Sequence, residues 1–201
     1  ILASGDSLAC GEGEYCEHCD QEVVWSKFEG TLGDGHYYLA ENIEYAGDKA
    51  FATAPSVKNG AAQVACFHLN GNNLTCTQGR AIGGYPGVLN VMGSGTVSAA
   101  GSRASGALDV KGTLRLMGGT YTATSTYVAA PTAANAQFQM YNGTTVKGAS
   151  ATTYAIVCAQ NAELWLMGGE VNANGGRAIH MSDGKAYQHG GKIYGAGNTN
   201  V

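Results

Sequence analysis

A short phrase of alternating apolar and polar residues, ending in a glycine turn, recurs six times along the chain. Its clearest copies are residues 114–119 (LRLMGG) and 164–169 (LWLMGG). The third residue of each phrase falls at positions 69, 91, 116, 140, 166 and 188, in steps of 22, 25, 24, 26 and 22 residues. A nearly constant period of this kind is typical of repeat proteins whose units stack on one another.

Each phrase predicts a half-buried β-strand, because its first and third residues are mostly apolar while the second and fourth point outward. A second short segment with an apolar centre follows every phrase, and a third apolar spot follows most of them. No helical segment lies between them. Three short strands per repeat predict an all-β, right-handed parallel β-helix with about six recognisable coils of 22–26 residues.

Stacking of the coils predicts two continuous apolar columns in the core. The first column is expected to contain Phe67, Leu89, Leu114, Phe138, Leu164 and Ala186. The second is expected to contain Leu74, Val97, Tyr121, Val146, Val171 and Ile193. The glycine pair after the first strand suits the sharp turn to the second side, since glycine reaches positive φ at little steric cost.

Residues 1–60 lack the phrase, which divides the chain into two parts. We predict that residues 1–60 are a Cys-containing segment that leads into the β-helix and caps it, and that residues 61–201 form the coils. A cap is expected because the open end of a β-helix would expose unpaired backbone. We also expect the chain to be part of a longer protein.

Charge and composition exclude two classes of partner. No apolar run approaches the roughly 18 residues of a membrane-spanning helix. Residues 1–60 hold eleven acids against three lysines, whereas the remainder holds eight Lys and Arg residues scattered singly against four acids. A nucleic-acid interface would need clustered basic residues with interleaved aromatic residues. We therefore expect neither a membrane span nor a nucleic-acid partner.

The first cysteines form a candidate metal site. Cys10, Cys16, His18 and Cys19 lie within ten residues, and such a Cys-x-x-Cys group with a further ligand can bind structural zinc tetrahedrally. A disulfide is the alternative, since exported proteins form them readily. Free thiols are a third possibility, and the spacing alone does not decide among the three. We expect no cofactor for activity.

Few acids are available for catalysis on a β-helix. Only Asp109, Glu163, Glu170 and Asp183 follow residue 48. Glycosidases need two carboxylates within about 10 Å, and lyases of this fold use clustered acids to bind Ca²⁺. We therefore predict no catalytic residues, with a polysaccharide lyase or glycosidase as the less favoured alternative.

The second and fourth residues of the phrases place large side chains on one outer face. The predicted partner-binding strip consists of Met92, Arg115, Met117, Gln139, Tyr141, Trp165, Met167 and Tyr187. The two columns that contain these residues run over six predicted rungs, whose five steps would span about 24 Å. Exposed Trp, Tyr, Met and Arg are enriched at interface centres, although the Met and Tyr residues could simply shield the glycine turns.

The repeats resemble those of a known group of proteins. Residues 64–71 (VACFHLNG), the later LxLMGG phrases, Cys16-Glu17-His18-Cys19 and residues 35–39 (GHYYL) resemble β-helix regions of large secreted, adhesin-like surface proteins of gut anaerobic bacteria. The resemblance implies a secreted or wall-attached module. It also implies binding to a host glycan or to a secreted host protein such as an immunoglobulin. A rigid spacer within a larger surface protein is the alternative.

Overall fold

A computed structural model describes residues 14–16, 18–46, 52–53, 57–58, 61–100, 106–124, 127–149 and 154–195. These residues form 26 β-strands, numbered β1 to β26 along the chain, and no helix. Three stacked parallel sheets form the sides of a β-solenoid of about five turns. The predicted all-β parallel β-helix is thus confirmed. Cys10 lies outside the described residues.

The first sheet carries the six phrases and two earlier strands. Its eight strands are β3 (Trp25–Lys27), β5 (Gly35–Tyr38), β10 (Val64–His68), β13 (Val88–Met92), β16 (Thr113–Met117), β19 (Gln137–Met140), β22 (Glu163–Leu166) and β25 (Lys185–Gln188). They pair in this order along the stack. This sheet presents the outer face on which the predicted strip lies.

The second and third sheets complete the coils. The second sheet contains β6 (Ile43–Tyr45), β11 (Asn73–Cys76), β14 (Thr96–Ala99), β17 (Gly119–Ala123), β20 (Thr144–Lys147), β23 (Glu170–Asn172) and β26 (Lys192–Tyr194). The third sheet contains β12 (Arg80–Tyr85), β15 (Gly106–Val110), β18 (Tyr127–Pro131), β21 (Tyr154–Cys158) and β24 (Arg177–Met181). The five strands of the third sheet account for the five complete turns.

Three small two-stranded sheets complete the described structure. They are the antiparallel hairpin β1 (Glu14–Cys16) with β2 (Gln21–Val23), the parallel pair β4 (Thr31–Leu32) with β7 (Ala52–Thr53), and the antiparallel pair β8 (Val57–Lys58) with β9 (Ala61–Ala62). Nowhere in the described ranges does a helix occur that could cross a membrane.

The observed register confirms the second predicted column along its whole length, from Leu74 to Ile193. The first column is confirmed from Leu89 onward. Its first member was assigned wrongly, because Phe67 pairs with Val91 while Ala65 pairs with Leu89. A shift of two residues leaves every side chain on the same face, so alternation alone cannot distinguish the two registers.

The core follows the inward positions of the coils but ends before the last one. Phe67, Tyr121 and Phe138 are fully buried within one continuous apolar cluster. Ala186, predicted to be in the core, is exposed, because its strand β25 is the edge strand of the first sheet. Edge strands lack a neighbour on one side.

The N-terminal segment contributes rungs to the stack. β3, β5 and β6 pair in parallel with the first and second sheets, and Phe28 packs against Phe67 with ring centroids 5.0 Å apart. The coils therefore begin before residue 61. The β1–β2 hairpin forms a separate sheet and is not a rung of the stack. Its residues Cys16 and Val23 pack with Met92 over the outer face of the first sheet.

Candidate functional site

One column of outward side chains runs along the whole first sheet. It contains Trp25, His36, Cys66, Asn90, Arg115, Gln139, Trp165 and Tyr187. The β1–β2 hairpin covers its N-terminal half, where Trp25, Cys66 and Asn90 are buried. The remaining half is partly exposed to solvent. The outer face therefore has a covered part and an open part.

Met92 belongs to the covered part, which corrects its assignment to the exposed strip. Its side chain is only 6% exposed and packs in the cluster that contains Cys16 and Cys66. Met117, on the next rung, is partly buried against the same cluster. The sequence pattern missed this because a hairpin from residues 14–23 follows no repeat period.

The other seven predicted residues form what we call the open strip. Its members are Arg115, Met117, Gln139, Tyr141, Trp165, Met167 and Tyr187, all partly or largely exposed. Met167 is the most exposed large apolar side chain among them, at 41%. Three rung steps separate Arg115 from Tyr187, so the open strip spans about 14 Å along the stack.

Aromatic rings stack at the C-terminal end of the open strip. The rings of Trp165 and Tyr187 lie 4.1 Å apart at an interplanar angle of 21°. His189, which the strip prediction omitted, stacks on Trp165 at 6.0 Å and 3°. The Trp165 indole Nε1 donates a hydrogen bond to Glu163 Oε2 (3.1 Å), which fixes the orientation of the ring.

A row of hydrogen bonds holds the polar side chains of the open strip. Gln137 Nε2 donates to Glu163 Oε2 (3.2 Å), and Gln139 Nε2 donates to Gln137 Oε1 (3.2 Å). Gln139 Oε1 accepts from Arg115 Nε (3.1 Å) and from the Tyr141 hydroxyl (3.0 Å). Gln137 and Glu163 were missed as supporting residues, although each directly precedes an inward phrase residue and therefore faces outward.

Four metal-ligating side chains meet beneath the β1–β2 hairpin. We call this group the Cys₃His cluster, and it consists of Cys16, Cys19, His36 and Cys66. Their ligand atoms all lie within 4.8 Å of one another. The Cys19 Sγ is 3.2 Å from His36 Nε2 and 3.9 Å from Cys66 Sγ.

The β1–β2 hairpin and two strands of the first sheet position the Cys₃His cluster. Cys16 ends β1, and Cys19 lies in the tight turn that follows, where the amide of Asp20 donates to the carbonyl of Cys16 (2.9 Å). His36 and Cys66 are paired residues on the neighbouring strands β5 and β10. The cluster therefore joins the hairpin to two rungs of the solenoid.

The cluster differs from the predicted metal site in two members. Cys16 and Cys19 are shared, but His18 is not among the clustered ligands. Burial chiefly, and then the positive charges of Arg115 and His36, lower the pKa of His18. His36 and Cys66 were missed because they are 17 and 47 residues from Cys19 in the chain, and only the register of the sheet brings them together.

The cluster is a desolvated environment. Burial raises the pKa of the Cys66 thiol far above its usual range, and burial is also the main cause of the raised pKa of Cys19. Burial lowers the pKa of His36, which favours the neutral imidazole. A divalent cation among these groups would reverse the preference of the thiols, since a coordinated thiol is deprotonated.

The four acids after residue 48 lie on different parts of the coil. Asp109 of the third sheet forms an ion pair with Arg80 (2.8 Å). Glu163 accepts the hydrogen bond of Trp165 in the open strip, and Asp183 follows β24. Glu170 borders an open depression of about 430 Å³ above the glycine turns and is the only acid among its lining residues.

No protein-family model matches this chain, and neither a curated protein nor a solved structure matches it significantly.

Proposed function

We propose that this chain is a non-catalytic binding module of a secreted or wall-attached bacterial surface protein. Its partner is a host glycan or a secreted host protein such as an immunoglobulin, and the open strip is the contact surface. The bacterial and extracellular setting rests on the resemblance of the repeats to surface proteins of gut anaerobes. The contact surface rests on the geometry of the first sheet.

The observation that carries the proposal is the stack of Trp165 on Tyr187 beside a row of hydrogen-bonded polar side chains. Large rigid aromatic side chains lose little conformational entropy on binding, and Trp, Tyr and Arg are the residues most often found at interface hot spots. The hydrogen bonds of Gln139 hold Arg115 and Tyr141 in place before any partner arrives. Preorganised side chains lower the cost of binding.

The open strip lies on the outer face of one sheet, which favours an extended partner over a small molecule. Small ligands bind in concave pockets that bury most of their surface. A sheet face of about 14 Å can instead contact several sugar rings of a glycan chain, or the centre of a protein interface. Aromatic faces suit both partners, because they are apolar and are bordered by hydrogen-bonding groups.

A rigid spacer is the second candidate function. The three parallel sheets run continuously along the stack, and such a solenoid holds attached domains apart without any contact surface. This candidate predicts that the open strip has no partner.

The test is a binding screen of the intact chain against an array of host glycans and a panel of secreted host proteins that includes immunoglobulins. Trp165→Ala is screened in parallel. Tyr154→Ala is the matched control, because Tyr154 also belongs to an aromatic and cationic group, with His180 and Arg177, but lies on the third sheet. Circular dichroism confirms that both variants fold.

We expect a partner that binds the intact chain and Tyr154→Ala but binds Trp165→Ala at least tenfold more weakly, the loss of about 1.4 kcal/mol or more expected at a hot spot. Equal binding by Trp165→Ala would contradict the open strip as the contact surface. Absence of any partner in both panels would favour the spacer.

A further inference from the structure

We infer that the chain binds one structural zinc ion through the Cys₃His cluster, with ligands from Cys16, Cys19, His36 and Cys66. The site is independent of the proposed binding function. It has four protein ligands, which is the pattern of a structural zinc site and not of a catalytic one, where a position stays open for water or substrate.

The distances within the cluster fit a tetrahedral zinc site. Zinc binds cysteine sulfur at about 2.3 Å and histidine nitrogen at about 2.0–2.1 Å, so a regular tetrahedron has S–S edges of about 3.8 Å and S–N edges of about 3.5 Å. The Cys19–Cys66 sulfurs are 3.9 Å apart, and the Cys19 sulfur is 3.2 Å from His36 Nε2. The other pairs lie within 4.8 Å, so movements on the order of 1 Å close the tetrahedron.

A disulfide explains the cluster less well. The 3.9 Å between the sulfurs of Cys19 and Cys66 is far longer than the roughly 2.05 Å of a disulfide bond. Any one disulfide would also leave the third sulfur and the His36 nitrogen without a common role. Zinc uses all four ligand atoms at once.

A neighbouring rung supplies a donor to one of the sulfurs. Asn90, fully buried on the rung after Cys66, places its amide Nδ2 3.6 Å from Cys66 Sγ. Such a donor favours a thiolate over a neutral thiol, and outer groups of this kind orient and tune metal ligands. The later members of this column are partly exposed, whereas Asn90 is buried. Its contact with the Cys66 sulfur accounts for an amide at this buried position.

The experiment measures zinc in the intact chain after purification in a reducing, zinc-supplied buffer. We expect one zinc ion per chain. His36→Ala is expected to lose it, while His18→Ala, which removes the histidine of the β1–β2 hairpin, is expected to retain it. Cys66→Ser is expected to lose zinc as well. Its control is Cys76→Ser, because Cys76 is equally buried but lies in the core away from the cluster.

A second measurement keeps the inference testable if a variant fails to fold. The intact chain is stripped of metal and titrated with Co²⁺, for which a site of three thiolates and one imidazole predicts intense visible bands and a thiolate-to-cobalt charge-transfer band. Absence of these bands, or of bound zinc, would overturn the inference. So would a folded His36→Ala variant that retains zinc, or iron in place of zinc. In chain purified without a reductant, a mass deficit of two hydrogens that peptide mapping assigns to a disulfide within the cluster would also overturn it.

Discussion

At the scale of single residues, the last glycine of the phrase turns the chain in a conformation that other residues rarely adopt. Gly143 and Gly169 both have φ of +81°. A Cβ at Gly143 would meet nothing closer than 3.8 Å, whereas a Cβ at Gly169 would lie 2.6 Å from the carbonyl oxygen of Thr144 on the preceding coil. The two glycines therefore share the backbone requirement but differ in available space.

This difference predicts unequal effects of two matched substitutions. Gly143→Ala is expected to destabilise the fold by about 1–2 kcal/mol, the cost of a left-handed backbone for an L-residue. Gly169→Ala adds a clash with backbone atoms, and we expect it to cost about 1–3 kcal/mol more. Urea unfolding of both variants measures the difference, and equal losses would contradict the close stacking of coils at this turn.

Tyr121 is the one hydroxyl-bearing member of the second core column. Its side chain is fully buried, and its hydroxyl donates to the carbonyl of Gly118 (2.9 Å). Tyr121→Phe keeps the ring but removes this hydrogen bond, so we expect a loss of about 0.5–1.5 kcal/mol in unfolding free energy. Tyr154→Phe is the control at the surface of the third sheet. It removes only the exposed hydrogen bond that Arg177 donates to the Tyr154 hydroxyl (3.0 Å), and it should change stability by less than about 0.5 kcal/mol. An unfolding free energy that Tyr121→Phe leaves unchanged would show that the hydrogen bond contributes nothing to stability.

At the scale of elements, the strands of the coils were predictable because each repeats a local pattern. The alternation of apolar and polar residues is enough to predict that Leu114 and Phe138 point inward, and they pair as predicted. The register at Phe67 was not predictable in this way, since two registers place the same residues inside. The hairpin β1–β2 gave no periodic signal, so neither its position over Met92 nor the completion of the Cys₃His cluster by Cys66 could be derived from spacing.

The hairpin also carries a prediction about metal removal, which rests on the inferred zinc site. Metal ligands couple binding to local folding, so loss of zinc should release the hairpin from the first sheet. We expect chelation to increase the rate of Met92 oxidation several-fold, measured by peptide mass spectrometry. Met140, fully buried in the core, should stay protected. An unchanged Met92 rate after confirmed loss of zinc would mean that apolar packing alone holds the hairpin.

At the scale of the whole molecule, the outer face of the first sheet has a covered part and an open part. The Cys₃His cluster and the hairpin cover the first rungs of the first sheet, and the open strip occupies later ones. The sequence pattern identified all seven residues of the open strip. It also placed Met92 in the strip, because the hairpin that covers Met92 lies outside the repeats. The partner itself cannot be read from the fold, since one scaffold supports many functions.

The most direct test of the open strip as a contact surface is oxidative footprinting of the chain, free and bound to the partner found in the screen. Met167 and Tyr194 are similarly exposed, at 41% and 47%, but Met167 lies on the open strip and Tyr194 on the second sheet. We predict that the partner slows oxidation of Met167 and Trp165 and leaves Tyr194 unchanged. Protection of Tyr194 with unaltered oxidation of Met167 and Trp165 would contradict the account.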